Sequence, residues 1–171
     1  MRKLERKDIK VLVEQTLNET SFNRVKDHIE KNGVPFVMIS AARGGRSRKE
    51  NNRNLSRMKQ VYDTAGFSYI RMPGSGGTED GVTTIEDSIL VYDLPRPDQE
   101  RSGVSLFELS KKLAKVFEQE WLVYGDGQSA RGYDSDGNVI DWAGPWSTLT
   151  VAAEDAEFWS MINGHKGKLV T

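Results

Sequence analysis

The stretch Pro35-Phe36-Val37-Met38-Ile39-Ser40-Ala41-Ala42-Arg43-Gly44-Gly45 constrains this chain more than any other. Phe36 to Ala41 is a nearly continuous apolar run, which reads as a buried central strand rather than a half-solvated one. It empties into a glycine-broken, charged loop, and a long amphipathic helix opens directly beyond. A strand end, a small-residue turn and a helix start together form a common cradle for an anionic or nucleotide-like ligand. The residues that fall there are Ser40, Arg43, Glu50, Asn51 and Asn52.

The chain has 171 residues, which suits a single domain, 1–171, with a real hydrophobic core. Its formal net charge of -1 argues against a general electrostatic grip on nucleic acid, while leaving room for a local basic patch. There is no cysteine, so disulfides, thiolate metal sites and thiol nucleophiles are excluded. Only His28 and His165 are present, which argues against a multi-histidine metal centre, and no cofactor is expected. The basic start, Met1 to Lys7, has no apolar run behind it, and no stretch approaches membrane-spanning length. The expected address is the cytoplasm, with no membrane partner.

The order of elements follows from periodicity. Residues 1–33 read as a helical lead-in, with a break near Asn18 and a second helix capped by Ser21 and stopped at Gly33. Phe36 to Ala41 is the first strand. Ser47 to Thr64 is a helix with Leu55, Met58, Val61 and Tyr62 on one face, ended by Gly66. Phe67 to Met72 is a second strand, Pro73 to Gly81 a mobile loop, and Thr83 to Tyr92 a third strand. After a polar connection over Pro95 to Gly103, Ser105 to Gln119 is a helix carrying Leu106, Leu109, Leu113, Val116 and Phe117. Trp121 to Tyr124 is the fourth strand. The pattern over 34–132 is β-α-β-β-α-β, a ferredoxin-like α/β (α+β) core. Residues 133–171 add a hairpin at Asp136-Gly137 and a short helix near Glu154 to Ile162.

Several groups have both a structural and a functional reading. Ser47 and Glu50 fit a capping box, although such a box does not explain the small-residue loop before it. Glu86 shares a strand face with Ser88 and Leu90; it is solvated at a strand end, or paired or ligand-facing if it lies deeper. Gly74 to Gly81 lacks the Gly-Lys-Ser/Thr of a phosphate loop and leads into a strand, so it matches no nucleotide fingerprint. Asp134, Asp136, Asn138 and Asp141 miss the spacing of a calcium loop and read as a hairpin turn. Trp121, Tyr124, Trp142, Trp146 and Trp159 offer either core packing or stacking surfaces. Neither histidine lies near a nucleophile, so no Ser-His-Asp arrangement can be nominated.

Three segments carry a resemblance. Phe36 to Arg43 with Glu50 and Asn52 beyond, Glu86-Asp87-Ser88-Ile89-Leu90-Val91, and Ala114-Lys115-Val116-Phe117-Glu118-Gln119-Glu120-Trp121-Leu122-Val123-Tyr124 together resemble the T3-type bacteriophage enzymes that destroy S-adenosylmethionine (SAM), the SAM lyases formerly called SAM hydrolases. The likeness covers roughly Pro35 to Gly132 and extends to small phage and bacterial proteins, among them a T4-type early protein group. It implies a ferredoxin-like fold and a homo-oligomer, a trimer, with sites between subunits. It also implies conversion of SAM to methylthioadenosine and homoserine lactone in the host cytoplasm, against methylation-based defence. Glu86 would then be the catalytic carboxylate, and Ser40, Arg43, Glu50, Asn52 and Ser88 would bind substrate. The enzymes carry a tyrosine before the glutamate strand, where this chain has Gly74-Ser75-Gly76-Gly77. That departure keeps a second expectation open: a non-catalytic accessory protein that binds a host or defence protein or sequesters a nucleotide. A virion component is a third.

Overall fold

The computed structural model describes the backbone of residues 24–79, 82–94, 102–126, 129–145, 159–162 and 165–168. It describes the side chains of all of these except 73–79, 82–86, 141–145, 159–162 and 165–168. Helix α1 covers residues 24–32. Then come β1 (Phe36–Ser40), α2 (Arg48–Ala65), β2 (Ser68–Glu79), β3 (Val82–Tyr92), α3 (Leu106–Val116), β4 (Trp121–Gly125), β5 (Ser129–Asp134), β6 (Val139–Pro145), β7 (Trp159–Ile162) and β8 (His165–Lys168). The fold is mixed α+β. Six strands lie in the order β6-β5-β4-β1-β3-β2, and the β7-β8 hairpin continues the sheet beyond β2. Every neighbouring pair is antiparallel.

A strand as apolar as β1 needs cover on both faces, and it has it. Val37 and Ile39 join Ile89, Val91 and Leu122 beneath Leu55, Met58 and Tyr62 of α2 and Leu106 and Leu113 of α3. Phe36 and Met38 point the other way and join Met72, Leu90 and Val123 against Val25 and Ile29 of α1. Alternation along β1 thus feeds two cores, one on each side of the sheet. Each fully buried aliphatic or aromatic side chain contributes roughly 1.5–3 kcal/mol of transfer free energy. The lead-in helix is therefore the third layer of the protein. It stops at Gly33, whose φ of 63° is left-handed and whose N–H donates to the Ile29 carbonyl at 3.1 Å. Ser21 and Asn18, expected to cap and break this region, lie outside the described residues.

The two central helices begin and end where their residues dictate. Ser47 caps α2 and Ser105 caps α3; Gly66, at φ 86°, ends α2. Two residues expected on the inward faces point outward: Val61 is 38% exposed and Val116 70%. On α2 the buried line runs Leu55, Met58, Tyr62, Ala65, and Val61 falls beside it. Val116 lies in the last turn of α3, where Phe117 takes the inward place.

Two other expectations are corrected. The glycine-rich stretch expected as a mobile loop is the distal half of β2, which pairs with β3 from Ser68↔Tyr92 to Glu79↔Val82, with a register shift between Ser75 and Thr78. Gly76 and Gly77 fall inside that shift, and glycine accommodates the extra residues of a bulge. The pairing also rests on β7, which meets β2 at Gly74↔Ser160 and Ser75↔Trp159. The helix expected near Glu154 to Ile162 is strand over Trp159–Ile162; its earlier residues lie outside the described set. The hairpin at Asp136-Gly137 is present between β5 and β6, with Gly137 at φ 92°. There the Asp134 carboxylate accepts from the N–H of Asp136 at 2.9 Å, the N–H of Asn138 at 2.8 Å and the Asn138 side chain at 2.8 Å. Those bonds hold its carboxyl below the ordinary value of 3.8 and satisfy the oxygens a cation would need.

Candidate functional site

The junction after β1 is built from three clasps. The first is the end of the strand. Ser40 Oγ accepts from the Ala42 N–H at 3.0 Å and reaches the Asp87 carbonyl at 3.4 Å, so the hydroxyl turns the chain while tying it to β3. Ser40 also stands opposite Ser88 in the β1–β3 register, and Ser88 stands opposite Met72 on β2. Ser40 and Ser88 are both half-buried, so two hydroxyl-bearing residues meet at one end of the sheet.

The second clasp fixes Arg43 by its backbone. The Arg43 N–H donates to Asn51 Oδ1 at 3.1 Å, and Asn51 Nδ2 donates back to the Arg43 carbonyl at 3.1 Å. One side-chain amide thus serves both backbone polar groups of one residue, which suits only Asn or Gln. Asn52, the residue expected to bind substrate, sits exposed on the helix surface next door.

The third clasp joins the loop to the C-terminal end of α3. Arg43 Nη1 donates to the Glu118 carbonyl at 3.0 Å and to its Oε2 at 3.2 Å, and Arg46 Nη2 meets the same Oε2 at 2.7 Å. Gln119 Nε2 donates to the Ala42 carbonyl at 3.0 Å. The negative end of the helix dipole lies here, so two guanidinium groups are favourably placed by the helix as well as by the carboxylate. Glu118 has φ 56°, among the described residues the one non-glycine with positive φ, and this left-handed turn aims its carboxylate at both arginines.

Glu50 belongs to the helix start. Its Oε2 accepts from the Ser47 N–H at 2.9 Å and from Ser47 Oγ at 2.7 Å, completing a capping box. The Ser47 side chain and backbone, then the nearby Arg46, hold its carboxyl below the ordinary value of 4.5. The backbone of Glu86 lies in β3 opposite Gly74, two residues before Ser88; its side chain lies outside the described residues.

Asp87 connects this junction to a second polar group on the helix side of the sheet. Its carboxylate pairs with Arg71 of β2. Lys59 of α2 lies 5.6 Å from the centre of the Tyr69 ring, and Tyr69 donates to Asp63 at 2.9 Å. Burial, with the Arg71 charge close by, pushes the Lys59 ammonium below its ordinary pKa. A groove of about 480 Å³ lies further along α2 between Arg57, Val61, Ala65 and Val104, and none of the expected site residues lines it.

The fold thus brings Ser40, Ser88 and the backbone of Glu86 to one end of the sheet, with Arg43 three residues further on. It sets Glu50 and Asn52 apart, on the first turns of α2. Arg46, Glu118 and Gln119 hold the junction together with Asn51 of the helix start, and none of the four is among the residues that the resemblance assigns to binding. The Asn-Asn pair offers no local sign of which amide faces the loop. The partnership of Glu118 with Arg43 spans 75 residues and becomes visible only once α3 is placed. Among the described residues, no group of three or more histidines, aspartates or glutamates is placed to hold a metal ion, and no helix is long and apolar enough to cross a membrane. No protein-family model matches the chain, and no curated protein matches it.

Proposed function

We propose that this chain cleaves S-adenosylmethionine to methylthioadenosine and homoserine lactone, as a phage-encoded protein acting in the host cytoplasm against methylation-based defence. The observation that carries the reading is the arrangement around β1. The strand order β4-β1-β3-β2, with α2 and α3 packed on one side, supports a ferredoxin-like core of the kind the resemblance implies. Within that order the serine end of β1 lies beside the β3 segment that contains Glu86 and Ser88.

The chemistry asks little of the protein in nucleophiles. The substrate carboxylate attacks its own γ-carbon, the C–S bond breaks, the sulfonium leaves as a neutral thioether, and the new C–O bond closes the lactone. No proton or external electrophile is needed, so the work is to hold the methionine portion folded and its charges out of water. Glu86 would anchor the ammonium end. Ser40 and Ser88 would offer hydroxyls, and the loop from Ala41 to Arg43, fixed by Asn51 and Gln119, would line the nucleoside side. A trimer would let a neighbouring subunit close the site. The test is Glu86→Gln. The wild type should form methylthioadenosine from SAM, and the variant should lose that activity while keeping its oligomeric state; full activity in the variant would remove Glu86 from the mechanism.

One observation favours a second reading, a non-catalytic accessory protein. The charges of Arg43 and Glu50 are already engaged within the chain, by Glu118 and Ser47. A stoichiometric host partner recovered with a protein that leaves SAM intact would select it.

A further inference from the structure

The near-neutral total charge conceals a sharp segregation. Residues 43–62 hold seven arginines and lysines against one acid, Glu50, in a chain whose net charge is -1. Arg43 and Arg46 are paired with Glu118, and Glu50 is held by Ser47. Of the other five, Lys59 is half-buried beside the Tyr69 ring, and Arg48, Lys49, Arg53 and Arg57 are all exposed on the outer side of α2 and, among the described residues, without an acidic partner. Lys49, Arg53 and Arg57 recur every four residues, so they line one edge of the helix at about 6 Å intervals. Asn52, Ser56 and Gln60 form a parallel row of uncharged hydrogen-bonding groups beside them.

We infer that the outer face of α2 binds the phosphodiester backbone of duplex DNA. Exposed helix cations spaced along one edge are complementary to a row of phosphates, and the neighbouring Asn52 and Gln60 amides can donate to phosphate oxygens, while the Ser56 hydroxyl is bound to the Asn52 carbonyl at 2.9 Å. Three features separate this partner from the other polyanions. A helix that lies on a membrane must bury an apolar face, and the apolar face of α2, Leu55, Met58 and Tyr62, is already against the sheet. Single-stranded nucleic acid is held by stacking on aromatic rings, and the outer face of α2 carries none. A B-form duplex sets its phosphate rows about a groove roughly 12 Å wide, the width of a helix with its side chains, whereas the A-form major groove is deep and narrow. The contact reads charge and not sequence, and it is independent of SAM cleavage because its cations, Arg48, Lys49, Arg53 and Arg57, are not among the residues assigned to that site.

Fluorescence anisotropy of a fluorescein-labelled, mixed-sequence DNA duplex tests it. With four phosphates neutralised, the affinity should fall about 150-fold between about 50 and 200 mM KCl. The triple variant Lys49→Gln, Arg53→Gln, Arg57→Gln, checked for its fold by circular dichroism, should reduce the log–log salt slope from about -3.6 to about -0.9. Lys26→Gln with Lys31→Gln, on α1 behind the sheet, should leave binding unchanged. Absence of binding at low salt would overturn the inference, as would a triple variant that binds like wild type. So would tighter binding to a single strand, an RNA duplex, polyglutamate or anionic vesicles than to the DNA duplex.

Discussion

The most informative structural perturbation is Ile29→Ala. Ile29 is 0% exposed, sits in the middle of α1 and fills the second core with Phe36, Met38 and Leu90. A short helix of this kind has little stability of its own, so its place depends on that contact. Truncating a fully buried isoleucine to alanine costs about 2–5 kcal/mol in transfer and cavity terms, and the better helix propensity of alanine returns a few tenths of a kcal/mol. The expected net loss is about 3 kcal/mol. For a chain of this size that corresponds to a fall in Tm of about 6–12 °C. Lys31→Ala, on the exposed side of the same helix, removes a solvated pair with Asp27 at 3.1 Å and should change stability by no more than about 0.5 kcal/mol. Urea titration followed by circular dichroism measures both. If Ile29→Ala unfolds at the same urea concentration as Lys31→Ala, α1 does not cover the sheet and the three-layer description fails.

Three further outcomes are expected. Ser47→Ala removes the acceptor for the Glu50 N–H and should cost about 1 kcal/mol in urea unfolding; an unchanged midpoint would mean the cap contributes nothing. Gly125→Ala would drive a Cβ into the Phe36 ring and to 2.6 Å from the Ser129 carbonyl oxygen, so it should destabilise by more than about 2 kcal/mol, against a near-neutral result if β4 and β5 were not paired there. Glu50 and Asp134 both have depressed folded-state pKa values. Each therefore contributes stability that is present above its ordinary value, 4.5 or 3.8, and is lost as pH falls through the folded one. Glu50→Gln and Asp134→Asn should then differ from wild type at pH 7 and converge on it in acid; a difference independent of pH would refute the assignment.

Much of the fold could be read along the chain because local and tertiary preferences agree there. The apolar run of β1 demands burial, and Ser47, Glu50 and Gly66 mark the limits of α2 by themselves. The split order of strands and helices from Phe36 to Tyr124 also follows from periodicity. Elsewhere, partners distant in sequence decide. Gly74 to Glu79 has poor strand propensity and becomes strand because β3 lies alongside with a bulge to absorb the mismatch. Trp159–Ile162 has an apolar pattern that serves a helix or a strand, and the β2 edge and β8 select the strand. In the candidate site, Ser40 and Arg43 lie at the end of β1 where the apolar run stops, and the pairing of β1 with β3 brings Ser88 opposite Ser40, whereas the clasp that holds Arg43 depends on Glu118 and Asn51. No local pattern identifies either, because a carboxylate 75 residues away and one of two adjacent amides look like ordinary surface groups.

The most direct measurement of the proposed chemistry is mass spectrometry of SAM incubated with the pure protein in oxygen-18 water. Attack by the substrate's own carboxylate predicts methylthioadenosine together with homoserine lactone free of label. Intact SAM, or homoserine carrying oxygen-18 in its γ-hydroxyl, would contradict it.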